Sequence, residues 1–476
     1  MMANASRDPY WQAAVRRETL DHPQARAHIQ DECAACHMPM ARYQAHVQGK
    51  ETSVFSLLPT LAKQGPSALW AADGVSCTLC HQIRSRNLGK AESFTAGFVI
   101  GTQKSLGQRP VFGPFTVDSG RTRVMQSAGR FIPTRGLHMQ EAGLCGSCHT
   151  LYTHTRGPNG NIIGQLPEQV PYLEWRHSSY SDHQSCQSCH MPTIERPMPI
   201  TSVLGLNRKM FSRHAFRGGN FFVLNMLRRY ATPLAVNALP QNLAVACRET
   251  EKNLTTSAAH VQIEAARVSN GELTVRLRLS NLTGHKLPTA YPSRRVWIHL
   301  TVKDAQGRCI FESGGRAPGG AIAGNDNDQD PTLYEPHYRY IDREDQVQIY
   351  ESIMVTPEEK VTTGLLSAIG FVKDNRVLPE GFDKETADRD IAVQGRARKD
   401  TDFKGGRDRI RYVIGVGNEK PPFRVHARLW YQPISYRWAQ NLDQYTAPET
   451  DRFVRYYDAM SADSALLITD DMRTVK

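Results

Sequence analysis

Eight of the chain's ten cysteines fall in four copies of one pentapeptide, Cys-x-x-Cys-His. The copies are Cys33, Cys36 and His37; Cys77, Cys80 and His81; Cys145, Cys148 and His149; and Cys186, Cys189 and His190. Random placement at these Cys and His frequencies would give roughly 0.01 such motif, so four are not chance. The spacing has a chemical reason. Thiols three residues apart lie on one side of a short helical turn, where each can add to one vinyl group of a porphyrin. The histidine that follows comes round beneath the macrocycle and binds iron. Paired zinc ribbons or redox-active dithiols would use the same cysteines. Neither explains a histidine directly after every second cysteine. The motifs predict four covalently bound haem c groups.

Cys247 and Cys309 are left over, as a disulfide or as two buried thiols. The formal charge of +11 reads differently once haem is considered. Four haems, each with two propionates, lower it to roughly +7 when ferric and about +3 when ferrous. No basic run of five or more residues occurs, so no nucleic-acid partner is expected. Apolar residues make up 40% and charged residues 22%, the balance of a globular chain. No run of eighteen apolar residues is present, and no membrane-spanning helix is expected. Residues 1–18 have no apolar signal region. Thioether attachment takes place outside the cytoplasm, so a periplasmic or extracellular protein is expected, its signal peptide upstream of this start or removed.

The motifs occupy residues 33–190, whereas residues 250–476 hold none. This asymmetry predicts an α+β chain of two parts: a loop-rich, short-helix multihaem domain over 1–245, then an immunoglobulin-like β-sandwich over 246–476. In the first part porphyrin faces replace apolar side chains, and Met38-Pro39 and Met191-Pro192 should stop the motif helices. The gap from His81 to Cys145 reads as a hairpin-like excursion through 98–100, 111–112 and 115–117. A helix-like run follows at 134–144. A helix should start after Gly218-Gly219-Asn220, with Phe221, Phe222, Leu224 and Leu227 at helical spacing and Arg228 and Arg229 at its end. Beyond it the period becomes two. Leu273, Val275, Leu277 and Leu279 alternate with polar residues, as do Val296, Ile298, Leu300 and Val302. Further strands are expected at 347–353, 410–416, 423–431 and 465–469, with turns at Asn270-Gly271 and Gln306-Gly307 and a long loop over 314–345.

An iron held by one histidine has an open sixth position, and filling it separates a wire from a catalyst. The chain has 17 histidines, and the four motifs leave thirteen to supply distal ligands. His138 precedes Cys145 by seven residues, His214 lies just before a helix start, and His285 sits in a Gly- and Pro-bounded turn. These three are the leading distal ligands. His46 leads for the fourth place, in competition with His22, His28, His154, His177 and His337. His260, His299 and His426 read as surface residues on strands, and Met38 and Met191 as core. Asp326, Asp328 and Asp330 alternate like a calcium loop, but Pro331 and His337 stand where an EF-hand needs Gly and Glu, so a solvated acidic loop is expected. No nucleophile elbow, dinucleotide fingerprint or phosphate loop is present.

Longer phrases carry a resemblance. They are residues 32–40 (ECAACHMPM), 144–152 (LCGSCHTLY), 171–175 (PYLEW), 185–192 (SCQSCHMP), 214–220 (HAFRGGN) and 283–295 (TGHKLPTAYPSRR), with Gln348-Ile349-Tyr350-Glu351 and Lys373-Asp374-Asn375-Arg376 further on. Together they resemble a bacterial multihaem (tetrahaem) c-type cytochrome family with a C-terminal β-sandwich. The resemblance implies an exported electron-transfer protein with donor and acceptor redox partners, and places His214 and His285 as distal ligands. Residues 1–11 (MMANASRDPYW) resemble an interior stretch of such proteins, so further sequence, and another haem motif with it, is expected upstream. The leading expectation is a non-catalytic carrier with mostly bis-histidine haems. Two alternatives stand beside it: an oxidoreductase acting on a small nitrogen or sulfur species at a five-coordinate haem, and a homo-oligomeric subunit of an extracellular cytochrome filament.

Overall fold

The computed structural model describes residues 1–60, 65–102, 105 and 107–476, and its class is α+β. Short helices dominate the first part. Asp8 caps the helix Pro9–Asp21 by accepting from the Tyr10 and Trp11 amides at 2.9 and 3.2 Å, and Pro9 fills the first position, where no amide is needed. The helix Arg26–His37 ends at Met38, and Pro39 opens the next, Pro39–Val47. Proline thus stops one helix and starts another. Met38 is fully buried against Trp11, Val15 and Ala34.

The stretch between the second and third motifs is not a hairpin. Strands Arg109–Gly113 and Phe131–Arg135 pair in parallel, joined by the helix Ser119–Gly129. Parallel strands need a crossover, and Asp118 starts it by accepting from the Arg121 amide at 3.0 Å. Residues 103, 104 and 106 of this stretch lie outside the described residues. The helix-like run at 134–144 is also broken up. Arg135 ends a strand, Gly136 is extended, and only a single turn, Leu137–Gln140, precedes the motif helix Ala142–Gly146.

The helix Phe221–Arg229 forms where expected, with the Asn220 side chain accepting from the Val223 amide at 3.2 Å. Its apolar face is buried together with a longer helix, Pro240–Ser257, which runs across residue 245. Cys247 lies inside that helix and Cys309 is exposed on a strand, and both are free thiols.

Two sheets make up most of the remainder. One runs Tyr340–Ile341, Arg407–Gly415, Glu272–Asn281, Ala259–Ser269. The other runs Cys309–Ser313, Arg295–Lys303, Phe423–Gln432, Leu466–Val475, with Ile349–Tyr350 also paired to Arg295–Lys303. Leu273, Val275, Leu277 and Leu279 of the first sheet and Val296, Ile298, Leu300 and Val302 of the second are fully buried in one shared cluster. Period two is therefore the imprint of each inner face. The same cluster takes in Tyr10, Leu173 and Phe222 from the motif-bearing part. The helix Pro9–Asp21 also packs on Pro448–Asp458, through Tyr10 on Phe453 and an Arg16–Glu449 ion pair of 2.8 Å. A smaller sheet, Val361–Thr362, Ser352–Val355, Gly370–Asp374, adjoins them.

The acidic loop at 326–330 is not merely solvated. Asp328 is buried, taking the Arg295 guanidinium at 2.8 Å and the Ile322 amide at 2.8 Å. Arg295 also donates to Gln432 at 2.8 Å, so the pair ties the long loop to the second sheet. Arg295→Met leaves a buried carboxylate unpaired and is expected to cost about 3–5 kcal/mol in urea unfolding. The double variant Arg295→Met with Asp328→Leu should recover most of that loss.

Candidate haem-attachment and axial-ligand sites

Each motif sits on or at the end of a short helix. The first ends the helix Arg26–His37, the second is the single turn Cys77–Cys80, and the fourth is Cys186–His190. Ser76 starts the second by accepting from the Leu79 amide at 3.2 Å. In the third, a side chain at Gly146 would run into the Tyr172 ring at 2.7 Å, so only glycine lets that ring lie on the motif turn.

Two motif histidines face a histidine from elsewhere. His81 and His214 have ring centres 6.0 Å apart and planes 26° from parallel; for His190 and His285 the values are 6.2 Å and 23°. Two metal–imidazole bonds of about 2.0 Å, with about 1.1 Å from each nitrogen to its ring centre, give about 6.2 Å. Both pairs therefore have the spacing of two imidazoles on opposite faces of one metal.

The second nitrogens agree with this. Nδ1 of His81 donates to the Phe112 carbonyl at 2.6 Å, Nδ1 of His285 to the Lys286 carbonyl at 3.0 Å, and Nδ1 of His190 to the Arg217 carbonyl. A carbonyl can only accept, so each such nitrogen carries the proton and the other keeps its lone pair. Burial holds His285 neutral, its pKa lowered to about 4, and it does the same for His37 and His149. A neutral imidazole is the form that binds a metal. The chain's own residues thus fit haem at the second and fourth motifs.

His37 and His149 are placed differently. His37 donates through Nδ1 to the Ala5 carbonyl at 3.1 Å and stacks flat on Trp11, ring centres 4.4 Å apart. Among the described residues no histidine ring faces His37 or His149 at the spacing of the two pairs. His138 is buried, its Nε2 donating to the Ile83 carbonyl at 2.9 Å and its ring edge-on to Phe112. His46 holds both Asp31 oxygens at 2.9 Å. It also lines a cavity of about 320 Å³ with Ala35, Pro39, Tyr43 and Phe98 beside the first motif.

Seven other histidines have partners of their own. His28 and His154 share Glu32, His22 meets Ser367, His177 the Asp383 carbonyl, and His337 a buried network with Asp400. His299 and His426 pair with Glu312 and Asp470. His183, to which the sequence lends no role, lines a second cavity of about 470 Å³ with Glu141, Tyr172, Trp175 and Ser185, between the third and fourth motifs.

Sulfurs of different motifs are neighbours: Cys148 beside Cys36, and Cys186 beside Cys145, together with burial, raise the pKa of Cys36 and of Cys145. Burial, with Cys148 and Cys77 nearby, pushes Cys80 up to about 12. The third motif therefore adjoins the other three.

No protein-family profile and no curated protein sequence matches the chain. Among solved structures it is similar to a penta-heme cytochrome c552 from Thermochromatium tepidum, with 15% identity and a TM-score of 0.49 over 93% of this chain and 83% of that one. That likeness is too remote to carry an inference about this chain.

Glu168 lies close to Cys33 and Cys36 and is 5% exposed. Burial, then the Glu18 charge, raises its pKa from 4.5 to about 8. The fold then binds a proton that the unfolded chain releases, so stability present below pH 4.5 is lost as pH rises towards 8. Glu168→Gln is expected to remove that slope, gaining on the order of a few kcal/mol over the parent at pH 9 and almost nothing at pH 4, read from urea unfolding at both.

Proposed function

We propose that the chain is a multihaem c-type cytochrome that carries electrons through four covalently bound haems, in the periplasm or outside the cell. The two facing histidine pairs, each with its outer nitrogen bonded to a backbone carbonyl, carry this reading. When bound, haem supplies reversible one-electron chemistry. The cysteines of the four motifs would tether it, His81 with His214 and His190 with His285 would hold iron from both faces, and His37 and His149 would be the proximal ligands of the other two.

His138 is our distal candidate for one of those two positions, through its Nδ1. His46 is the candidate for the other, and would have to release Asp31 to serve. We read the two large sheets as an immunoglobulin-like sandwich that lends His285 to the motif-bearing haem domain, with the helix Pro240–Ser257 spanning the expected 245/246 boundary. The nearness of Cys36 to Cys148 and of Cys145 to Cys186 supports short hops between neighbouring groups. Donor and acceptor proteins would dock outside, and no helix among the described residues is long and apolar enough to cross a membrane.

The oxidoreductase alternative, acting on a small nitrogen or sulfur species, needs an iron with one open position, at the His37 or His149 motif. The filament alternative needs a ligand from a neighbouring copy at the same places.

Expressed with cytochrome maturation machinery, the protein is expected to gain four haem masses per chain, and Cys186→Ser with Cys189→Ser to gain three. Ferric electron paramagnetic resonance should show low-spin signals for the two pairs. His285→Met should change one of them and raise the potential of that haem, since a His/Met pair favours ferrous iron. No added porphyrin mass overturns the proposal. High-spin iron with turnover of nitrite or hydroxylamine replaces the carrier with the enzyme.

A further inference from the structure

Four charged side chains lie buried behind His285. Glu174 comes from the helix Pro171–Arg176, Lys286 from the turn that carries His285, and Asp374 and Arg376 from the end of the strand Gly370–Asp374. Their side chains are 0%, 0%, 4% and 8% exposed. Arg376 reaches Glu174 at 2.8 Å with one nitrogen and grips both Asp374 oxygens at 2.8 and 2.7 Å with two others. Lys286 Nζ meets Asp374 at 2.7 Å. Two acids and two bases therefore cancel, each facing an opposite charge.

Apolar residues of similar volume would often stabilise as well as such a cluster. Its role is legible in what it grips. One Glu174 oxygen accepts from the Lys286 amide at 3.1 Å and from the Thr289 hydroxyl at 2.5 Å. Residue 286 is thus held by its backbone nitrogen and by its ammonium, and its carbonyl is the acceptor of the His285 Nδ1 proton. On the other side, the Asn281 side chain donates to the His285 carbonyl at 2.8 Å, and Leu287 and Val377 exchange two backbone bonds of 2.9 Å. The helix of Glu174 begins at the third motif, where the Tyr172 amide donates to the His149 carbonyl at 3.3 Å.

We propose that Glu174, Lys286, Asp374 and Arg376 form one positioning network for His285. It fixes the acceptor of the Nδ1 proton, aims the other nitrogen at His190, and so sets the ligand strength at the fourth motif. The inference rests on reading His190 and His285 as an axial pair. A firm acceptor at Nδ1 makes the imidazole a stronger donor and favours ferric iron. A loosened carbonyl does the reverse, and the potential of that haem rises.

The test uses holoprotein of Arg376→Met, Arg376→Lys, Glu174→Gln and, as control, His285→Met, with haem counted per chain. Ferric electron paramagnetic resonance and potentiometric titration are the readouts. Arg376→Met and Glu174→Gln should each shift the g values of one low-spin signal and move one potential upward, the same one that His285→Met affects, leaving the others in place. Arg376→Lys keeps a positive charge beside Asp374 but not the reach to Glu174, and should recover part of the shift. If His285→Met changes nothing, the axial pairing falls. If His285→Met acts but Glu174→Gln retains the parent signals and potentials, the network proposal alone falls. Should Arg376→Met fail to accumulate, the isosteric Glu174→Gln decides.

Discussion

An imidazole that gives one proton to a backbone carbonyl has a single lone pair left to offer, and its direction is set by that carbonyl. His81, His190 and His285 are held this way. Three carbonyls must therefore be held in place before those ligands can be aimed. Much of the surrounding structure serves that demand. Phe112 belongs to a parallel strand pair, Arg217 precedes a capped helix, and Lys286 is locked by buried charge.

The motif-bearing part has few side chains with which to make a core, and it takes apolar support from the sheets. Tyr10, Leu173 and Phe222 share a cluster with the inner faces of both sheets. A rigid sheet is a better mount for a ligand than a free loop, because its strands cannot move singly without breaking their ladders. The turn of His285 follows directly from the strand Glu272–Asn281, which is paired along both sides.

Much of this was legible in the sequence where the signal is local. Four pentapeptides, the period-two strands, the Asn220 cap and the turns around His214 and His285 each depend on residues a few positions apart. What was hidden depends on distant partners. Glu174 and Lys286 are 112 positions apart, and Lys286 and Asp374 are 88 apart, so neither spacing carries a pattern. Asp328 looked like a solvated acid because Arg295 is 33 positions away. The β-type residues around Val111 suggested a hairpin because composition marks a strand but not the direction of its partner. The helix Pro240–Ser257 was missed at a presumed boundary, where prolines read as breaks although Pro240 in fact opens it.

The nearness of sulfurs from different motifs bears on how such a chain is made. Cys36 lies near Cys148, and Cys145 near Cys186. In an oxidising compartment, neighbouring free thiols are substrates for cross-linking. A chain that closed while still bare would bring the wrong partners together, and each such bond would remove an anchor from two motifs at once. On the proposed haem reading, attachment would have to come before closure, with the chain open to its maturation enzymes until the last porphyrin was in place.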